Sequence, residues 1–505
     1  MSFIKAKTFK EFIPFINVFL FALYPIIALY AHNADQLKLK QALLPMAASL
    51  MLSAIMFFVS RLILKKNILA CLATVLFLIF FWNYELINIG IGNIIDLRHL
   101  YLVPLLVFIY LLLVFLAAKA RKPQTLKKLN LILILPVSLL LLFNLITIIQ
   151  VEIKKATLSH IDRKPVFEND STIDIGQYPD IYLIILDEYA SFKTIKDKWD
   201  YDNSPFARFL EEKDFFVAHN SKTRYPNTTQ AIPAIMNLEY LDESLSRLER
   251  LHAYDNNFVF NFLNETGYEI VFLDGWGGFE FSFGIDNITL LCMYNMDFGP
   301  KLKLDEFSYL VFSQSMLRPA SFLLRDENAN TYYRANNHFF NYIEKYPLTA
   351  NLSESPFLLY AHIMSPHMPY VFDRHGNFLE NPTNYWEYEN LDKSYLRDLY
   401  LEQYIFVTNR MIDIITEILN TSNNDPVIVL LSDHGPRRPS TGVEEAEHHH
   451  RILNAVYFPD GDYNGLYDDI DPVYTMRVLF NKYFGIKYEL FEECPTNYVQ
   501  NNSQK

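Results

Sequence analysis

The chain has 505 residues, of which 51% are hydrophobic and 20% are charged, and its formal net charge is −13. Residues 1–150 hold 14 Lys and Arg against four Asp and Glu, a net +10, so residues 151–505 carry −23. This distribution excludes a disordered chain, a disulfide scaffold and a nucleic-acid binder with a broad basic face. It predicts a membrane-embedded N-terminal part followed by a large, acidic, water-soluble domain.

Five apolar runs lie in the first 150 residues. They cover about 12–31, 42–60, 68–82, 100–118 and 129–149. A membrane-spanning helix takes about 17–25 such residues. The alternative, buried helices of a soluble protein, would leave no polar faces for water. The sequence therefore predicts a five-helix transmembrane domain over 1–150, a linker over 151–178 and a soluble domain over 179–505.

Basic residues are concentrated in alternate loops of this membrane part. They are Lys5, Lys7 and Lys10, then Arg61, Lys65 and Lys66, then Lys119, Arg121, Lys122, Lys127 and Lys128. Because cationic loops are retained in the cytoplasm, the N-terminus is predicted inside and residues 151–505 outside. The first run is too long for a cleavable signal and is interpreted as an anchor. Few ionisable residues lie within the runs, which makes a transporter the weaker alternative.

Beyond residue 178, apolar runs alternate with helical patterns. The runs are Asp180–Leu186, Glu269–Leu273, Phe357–His362 and Pro426–Leu431. Continuous apolar runs of this length are typical of strands that are buried on both faces of a parallel sheet. Helical patterns lie between them, at Phe206–Lys213, Asn256–Thr266 and Tyr395–Leu419. The alternation predicts an α/β domain whose mainly parallel sheet is covered by helices.

Acidic and imidazole side chains lie at the ends of three of these runs. Asp187 and Glu188 follow the first, His362 and His367 lie at and after the third, and Asp433-His434-Gly435 closes the fourth. In open α/β sheets the carboxyl ends of the strands meet at one edge. Together these residues predict a divalent metal site. Each also has a structural alternative: a helix cap, a packed loop histidine or a turn.

A candidate nucleophile lies at the start of a helical pattern, in Asn227-Thr228-Thr229. The structural interpretation is an N-cap, for which Asn227 and Thr228 are both suitable. The functional interpretation is a threonine alkoxide that is stabilised by the helix N-terminus and by a bound metal. The residues alone leave both interpretations open.

The order of these motifs resembles the sulfatase-like branch of the alkaline phosphatase superfamily. A strand ends in an acid, Thr228 opens a helix, a His-x-Pro loop follows at His367, and a last strand ends in Ser432-Asp433-His434-Gly435. The five-helix anchor resembles that of bacterial lipoteichoic acid synthases and lipid A phosphoethanolamine transferases. The resemblance covers about residues 178–460, together with the membrane layout.

The resemblance implies roles for five residues. Asp187 matches the acidic metal ligand at the strand end, and Glu188 is a second or substitute ligand. Asp433 and His434 match the metal ligands of the last motif. Thr228 matches the nucleophile.

His367 matches the histidine that contacts the transferred phosphate or a second metal. Further positions are weaker candidates, among them Thr229 as the alternative nucleophile. His362 is a strand-end candidate, and Arg437 is a candidate for a bidentate phosphate contact. The family pattern includes another histidine in the region of His448-His449-His450, for which His449 is the candidate, although a solvated His run is the bland alternative.

The chain also departs from the family patterns. It has no Cys/Ser-x-Pro-x-Arg motif of the kind that sulfatases convert to formylglycine, which argues against sulfate ester hydrolysis. The cysteine pairs of many phosphoethanolamine transferases are absent. Cys292 and Cys494 could form a disulfide or remain free thiols.

The resemblance implies a metal-dependent transferase in a bacterial cytoplasmic membrane, with its catalytic domain outside the cytoplasm. It would move phosphoethanolamine or phosphoglycerol from a phospholipid to an envelope glycan or lipid, through a phosphothreonine. Zinc is the expected metal, with manganese or magnesium as alternatives. A phosphoester hydrolase and an inactive envelope scaffold are the alternative functions.

Overall fold

The computed structural model describes residues 2–92, 99–119, 123–158, 178–275, 288–292, 305–320, 322–351, 355–383, 391–437 and 447–490. Within these limits the chain divides into a first unit, residues 1–158 with 300–324, and a second unit, residues 159–299 with 325–505. Most of the predicted linker (159–177) lies outside the described residues, as do Cys494 and the basic residues Arg121 and Lys122.

The first unit begins with a series of apolar helices. They are α1 (Ser2–His32), α2 (Leu39–Leu64), α3 (Asn67–Trp82), α4 (Tyr84–Gly92), α5 (His99–Lys119) and α6 (Pro123–Leu158). Among the described residues, four helices are long and apolar enough to cross a membrane, and α3 with α4 makes a fifth if this bent pair is one span. Large apolar side chains such as Phe108, Leu111 and Phe143 point outward. Such surfaces are stable in lipid and costly in water, so the predicted membrane part is confirmed at the level of four to five helices.

The second unit contains a mainly parallel sheet, as predicted. Its strands are β1 (Ile181–Leu186), β2 (Phe216–Val217), β3 (Glu269–Asp274), β4 (Ile288–Cys292), β5 (Phe357–Ile363), β6 (Val427–Ser432) and β7 (Asn454–Tyr457). In the described part of the chain their order is β2-β7-β6-β1-β5-β3-β4. Strand β7 is antiparallel to β6 and β2, and the other pairs are parallel. The central strands β1, β5 and β6 are buried along their whole length, which explains their continuous apolar runs.

Helices cover both faces of this sheet. The remaining α-helices in the described residues are α7 (Phe192–Trp199), α8 (Ser204–Glu212), α9 (Thr228–Asn237), α10 (Arg247–Asp255), α11 (Phe258–Glu265), α12 (Glu306–Gln314), α13 (Phe322–Ala350), α14 (Lys393–Thr421) and α15 (Pro472–Phe484). One core joins the sheet to α13 and α14, and a second core joins its opposite face to α9, α10, α11 and α15. The predicted α/β/α arrangement is therefore confirmed.

Helix α12 and the turn after it belong to the first unit, although they come about 150 residues after α6 in the chain. Phe307 packs edge-on against Tyr30, and the backbone amide of Met316 donates to the carbonyl of Phe81 over 2.8 Å. Arg318 Nη1 lies 2.8 Å from Glu85 Oε1. The sequence did not single out this segment.

Candidate metal and nucleophile site

The strand register explains why polar side chains collect at one edge and on one face of the sheet. His362 on β5 lies directly beside Asp274 on β3. Strand β1 pairs with the other side of β5, and Asp187 comes two residues after the β1 residue that pairs with His362. Asp433 comes two residues after the β6 residue that pairs with that same residue of β1. Because residues two apart share a face, all four side chains are directed to the face that α9 covers.

These side chains form a buried group of metal-binding type. Asp187, His362 and Asp433 each offer one ligand atom, and the three atoms lie within 4.8 Å of one another. A further nitrogen, His434 Nε2, lies 3.6 Å from Asp187 Oδ1 and 3.4 Å from Asp433 Oδ2. The same nitrogen lies 3.2 Å from Thr228 Oγ1.

These distances fit a divalent cation. Four tetrahedral ligands at zinc distances of about 2.0–2.1 Å would be separated from one another by about 3.3 Å. Asp187 Oδ1 and Asp433 Oδ2 are both buried, and neither has a hydrogen-bond partner among the described residues. A buried carboxylate oxygen without a partner is costly, and a cation would offset that cost. The donor set therefore fits a metal of the zinc, manganese or magnesium type.

The electrostatics of this group follow from its burial. Burial raises the pKa of Asp187 well above its usual value, and the neighbouring charge of Asp433 raises it further. Burial lowers the pKa of His362, but the hydrogen bond and charge of Asp274 outweigh it and raise the pKa to about 9. The acids and imidazoles of this site thus depend strongly on one another's charge.

Thr228 is the first residue of α9, and 6% of its surface is exposed. The N-cap position falls to Asn227, whose side chain makes no capping hydrogen bond to the described backbone of the helix. Instead Asn227 Nδ2 donates to Gln230 Oε1 over 2.6 Å and Asn227 Oδ1 accepts from Thr229 Oγ1 over 2.7 Å. The Thr228 hydroxyl is therefore directed to His434, whereas the Thr229 hydroxyl is directed to Asn227.

The turn after β6 fixes the orientation of His434. Its Nδ1 lies 2.9 Å from the carbonyl oxygen of Gly435 and donates to it, since a carbonyl can only accept. Nε2 is consequently the nitrogen that is directed at Thr228. A Cβ atom at Gly435 would overlap the carbonyl oxygen of His448, so this close approach requires glycine.

Glu188, Arg437 and His367 form a second polar group next to the first. Arg437 Nε donates to Glu188 Oε1 over 2.9 Å, and His367 Nε2 lies 3.8 Å from the same oxygen. Burial raises the pKa of Glu188, but the charges of His367, His434 and Arg437 outweigh burial and lower it. Glu188 has a φ of 58°, a strained backbone for a residue other than glycine, and such strain is often found at functional sites.

The three consecutive histidines differ in their hydrogen bonds. His448 Nδ1 lies 3.2 Å from Thr194 Oγ1, and His450 Nδ1 donates to the carbonyl of Thr223 over 2.9 Å. His449 Nε2 is buried without a hydrogen-bond partner in the described part of the chain. Burial, followed by the charge of His450, lowers the pKa of His449 to about 4, so the ring is neutral and able to act as a ligand.

The sequence did not single out Asp274 as a site residue. This residue ends β3 and accepts hydrogen bonds from His362 Nδ1 over 3.2 Å and from the Tyr254 hydroxyl over 3.0 Å. The signal was the same as for Asp187 and Asp433, an acid directly after an apolar run. The predicted residues Asp187, Asp433, His434, Thr228 and His362 lie together, with Glu188, Arg437, His367 and His449 around them.

Comparison with known proteins agrees with this architecture. The model of the sulfatase family matches residues 181–469, more than half of the chain. A search of curated proteins returns no significant match.

Solved structures with a similar arrangement include bacterial transferases. Lipooligosaccharide phosphoethanolamine transferase A from Neisseria meningitidis is 12% identical, with 94% of this chain and 95% of that chain covered and a TM-score of 0.42. The periplasmic domain of EptC from Escherichia coli, solved with zinc, is 12% identical over 62% of this chain and 84% of that one, with a TM-score of 0.37. The periplasmic domain of the phosphoethanolamine transferase EptC from Campylobacter jejuni is 14% identical over 62% and 92%, with a TM-score of 0.34.

The family match covers β1, the Thr228 helix, the His367 loop and the Asp433-His434 turn, which are the segments that build the site. The resemblance to sulfatase-like enzymes that the sequence indicated is confirmed. The chain belongs to the sulfatase family.

Proposed function

We propose that the protein is a membrane-anchored transferase that moves a substituted phosphoryl group from a phospholipid to an acceptor in the cell envelope. The observation that carries this proposal is the position of Thr228 Oγ1. It lies at the N-terminus of α9, 3.2 Å from His434 Nε2. The same nitrogen lies 3.6 Å from Asp187 Oδ1 and 3.4 Å from Asp433 Oδ2, two buried oxygens that have no hydrogen-bond partner among the described residues.

Asp187, Asp433 and His434 are the proposed ligands of a divalent cation, with zinc preferred for mixed oxygen and nitrogen donors. When bound, this cation would lower the pKa of the Thr228 hydroxyl and neutralise charge on the phosphoryl oxygens.

In the first step Thr228 Oγ1 attacks the phosphorus of the phospholipid. A bond forms between Oγ1 and phosphorus, and the bond between phosphorus and the diacylglycerol oxygen breaks. Diacylglycerol leaves with the proton that Thr228 has lost. The headgroup phosphate then remains on Thr228 as a phosphodiester, for which the amides and dipole of the α9 N-terminus provide a favourable environment.

In the second step a hydroxyl of the acceptor attacks the same phosphorus. The bond between phosphorus and Thr228 Oγ1 breaks, and the proton of the acceptor hydroxyl passes to Oγ1, which restores Thr228. Phosphoryl transfer depends mainly on positioning and on charge neutralisation. His367 and Arg437 are suitable for contacts to the phosphoryl oxygens, because Glu188 holds both next to the acids of the site. Phosphoethanolamine and phosphoglycerol are the proposed groups, and an envelope glycan or lipid is the proposed acceptor.

The membrane helices supply the remaining part of the proposal. A phospholipid donor is presented at the bilayer surface, so an enzyme that is anchored there meets it without extracting it. The basic loops predict that the second unit is on the extracytoplasmic side. The proposed location is therefore the cytoplasmic membrane of a bacterium, with the site outside the cytoplasm.

The test is intact-protein mass spectrometry of the full-length protein in zinc-supplemented vesicles of phosphatidylethanolamine or phosphatidylglycerol. We expect a headgroup-phosphate adduct that maps to Thr228, is absent from Thr228→Ala and persists in the matched control Thr229→Ala. The mass of the adduct identifies the donor. Release of headgroup phosphate into water without an acceptor would instead indicate a hydrolase, and no adduct with any donor would overturn the proposal.

A further inference from the structure

A series of buried hydrogen bonds begins at His362, beside Asp187 and Asp433, and the proposed reaction assigns no role to it. His362 Nδ1 is bonded to Asp274 Oδ1 over 3.2 Å, and the Tyr254 hydroxyl donates to Asp274 Oδ2 over 3.0 Å. The Tyr360 hydroxyl lies 2.8 Å from that of Tyr254. All four side chains are at most 1% exposed.

The polarity of this series follows from its chemistry. An ionised carboxylate can only accept, so the proton of the first bond is on His362 Nδ1. Tyr254 gives its one proton to Asp274, so Tyr360 donates to Tyr254. Burial and the charge of Asp274 raise the pKa of both tyrosines far above the usual value, which keeps both hydroxyls as donors.

The sheet makes this arrangement rigid. Asp274 and His362 are register partners on β3 and β5, and Tyr360 lies two residues before His362 on the same face. With Nδ1 held by Asp274, Nε2 is the nitrogen of His362 that can serve as a ligand beside Asp187 and Asp433.

We propose that Asp274 is a positioning residue, which holds the His362 ring in the tautomer and orientation that make Nε2 a further nitrogen ligand of the metal site. Carboxylates that accept from the second nitrogen of a ligating histidine increase its basicity and fix its geometry. The inference rests on the divalent cation of the proposed function. It adds His362 to the ligands and assigns Asp274, Tyr254 and Tyr360 to its support.

A purely structural role makes a different prediction. If the series only satisfies buried polar groups, loss of the Asp274 charge would affect the stability of the fold and leave the affinity for metal unchanged. Metal affinity therefore separates the two roles without any measurement of transfer.

The experiment uses the full-length protein in detergent, stripped of metal and titrated with Zn²⁺ against a competing chelator. We expect Asp274→Asn to weaken zinc binding about 10- to 100-fold, and His362→Ala to weaken it at least as much. The matched control is Asp471→Asn, a buried carboxylate away from the site, for which zinc affinity should match that of the wild type. Thermal unfolding of each metal-free protein verifies that it is folded.

Unchanged zinc affinity in Asp274→Asn or in His362→Ala would overturn the inference. If Asp274→Asn does not fold, Asp274→Glu replaces it, because this variant keeps the charge but displaces the carboxylate. Unchanged zinc affinity in Asp274→Glu would also overturn the inference. A wild-type protein that binds no zinc would overturn both proposals. Normal zinc binding without a Thr228 adduct would affect the proposed function alone.

Discussion

The buried carboxylates of the two units differ in their partners. In the first unit the side chain of Glu85 is 8% exposed and lies 2.8 Å from Arg318, so its charge is paired. In the second unit Asp187 and Asp433 are equally buried, yet each has an oxygen without a hydrogen-bond partner among the described residues. A carboxylate that is paired with arginine contributes to the fold, whereas buried carboxylate oxygens that have His434 nearby but accept no hydrogen bond from the described residues are suited to binding a cation.

A third carboxylate is an intermediate case. Asp471 is buried at the start of α15 and accepts from the backbone amides of Val473 over 2.8 Å and Arg224 over 3.2 Å. Its oxygens are satisfied by neutral donors, but its charge is only partly compensated, and burial raises its pKa to about 7. The partner is thus an arginine for Glu85 and backbone amides for Asp471, whereas one oxygen each of Asp187 and Asp433 has no hydrogen-bond partner among the described residues. This series predicts different responses to substitution.

The largest effect is expected at Asp433, whose Oδ2 has no hydrogen-bond partner among the described residues. Asp433→Asn should abolish zinc binding and reduce transfer at least about 1,000-fold, since residues that act as a unit in catalysis have effects of this size. The metal-free variant should nevertheless unfold at the same temperature as the wild type or higher, because the substitution removes a buried negative charge that repels the neighbouring buried carboxylate of Asp187. Zinc titration, headgroup transfer and thermal unfolding check these results.

A marked loss of stability in metal-free Asp433→Asn would contradict this account. It would mean that Asp433 contributes to the fold mainly through the bonds that its Oδ1 accepts from the amides of Glu188 and His434.

At the paired end, Arg318→Ala should destabilise the first unit by about 3–5 kcal/mol, because it leaves Glu85 buried without its partner. The double variant Glu85→Gln with Arg318→Ala should recover part of this loss. Unfolding of the detergent-solubilised protein measures both. Zinc affinity serves as the control and should not change, since all proposed ligands are in the second unit. Equal stability of Arg318→Ala and the wild type would show that the pair is dispensable.

Local sequence was sufficient to predict the sheet and much of the site. The run before Asp187 and the run before Asp433 became adjacent strands, and their parallel direction brought the two acids to one edge. That step needs only hydrophobic pattern and the rule that parallel strands end together. The direction of the Thr228 side chain could not be obtained in this way. A threonine at the start of a helix is equally compatible with an N-cap and with a nucleophile.

The residues that were missed depend on long-range order. Asp274 acquires its role from the pairing of β3 with β5, which are about 90 residues apart in the chain, and strand order is not encoded in either strand. Helix α12 is too short to span a membrane and has the composition of an ordinary soluble helix. Its contact with Tyr30, and the bonds of the following turn to Phe81 and Glu85, place this segment in the first unit.

The intermediate carboxylate predicts a pH effect. The folded-state pKa of Asp471, about 7, lies above the unfolded value, so between about pH 4 and pH 7 the folded state binds more protons than the unfolded state. Its contribution to the free energy of unfolding therefore falls as the pH rises through this range. Asp471→Asn should gain stability relative to the wild type between pH 5 and pH 8, by at most about 2.6 kcal/mol.

Chemical denaturation at the two pH values measures that difference. The control is Asp398→Asn, at an exposed position on α14, whose stability relative to the wild type should not change between the two pH values. The raised pKa of Asp471 would be contradicted if the difference in free energy of unfolding between Asp471→Asn and the wild type did not change with pH.

The smallest effect is expected where a carboxylate is paired but exposed. Lys193 Nζ lies 2.7 Å from Asp197 Oδ2 on α7, with about half of the lysine side chain exposed. Water and salt screen such a pair, and holding two mobile side chains together costs entropy, so Lys193→Ala should change the free energy of unfolding by only about 0.3–0.5 kcal/mol. The effect should disappear in 1 M salt, whereas that of Arg318→Ala should persist because its partner is buried. A Lys193→Ala effect as large as that of Arg318→Ala would show that burial is not what separates the paired carboxylates of this protein.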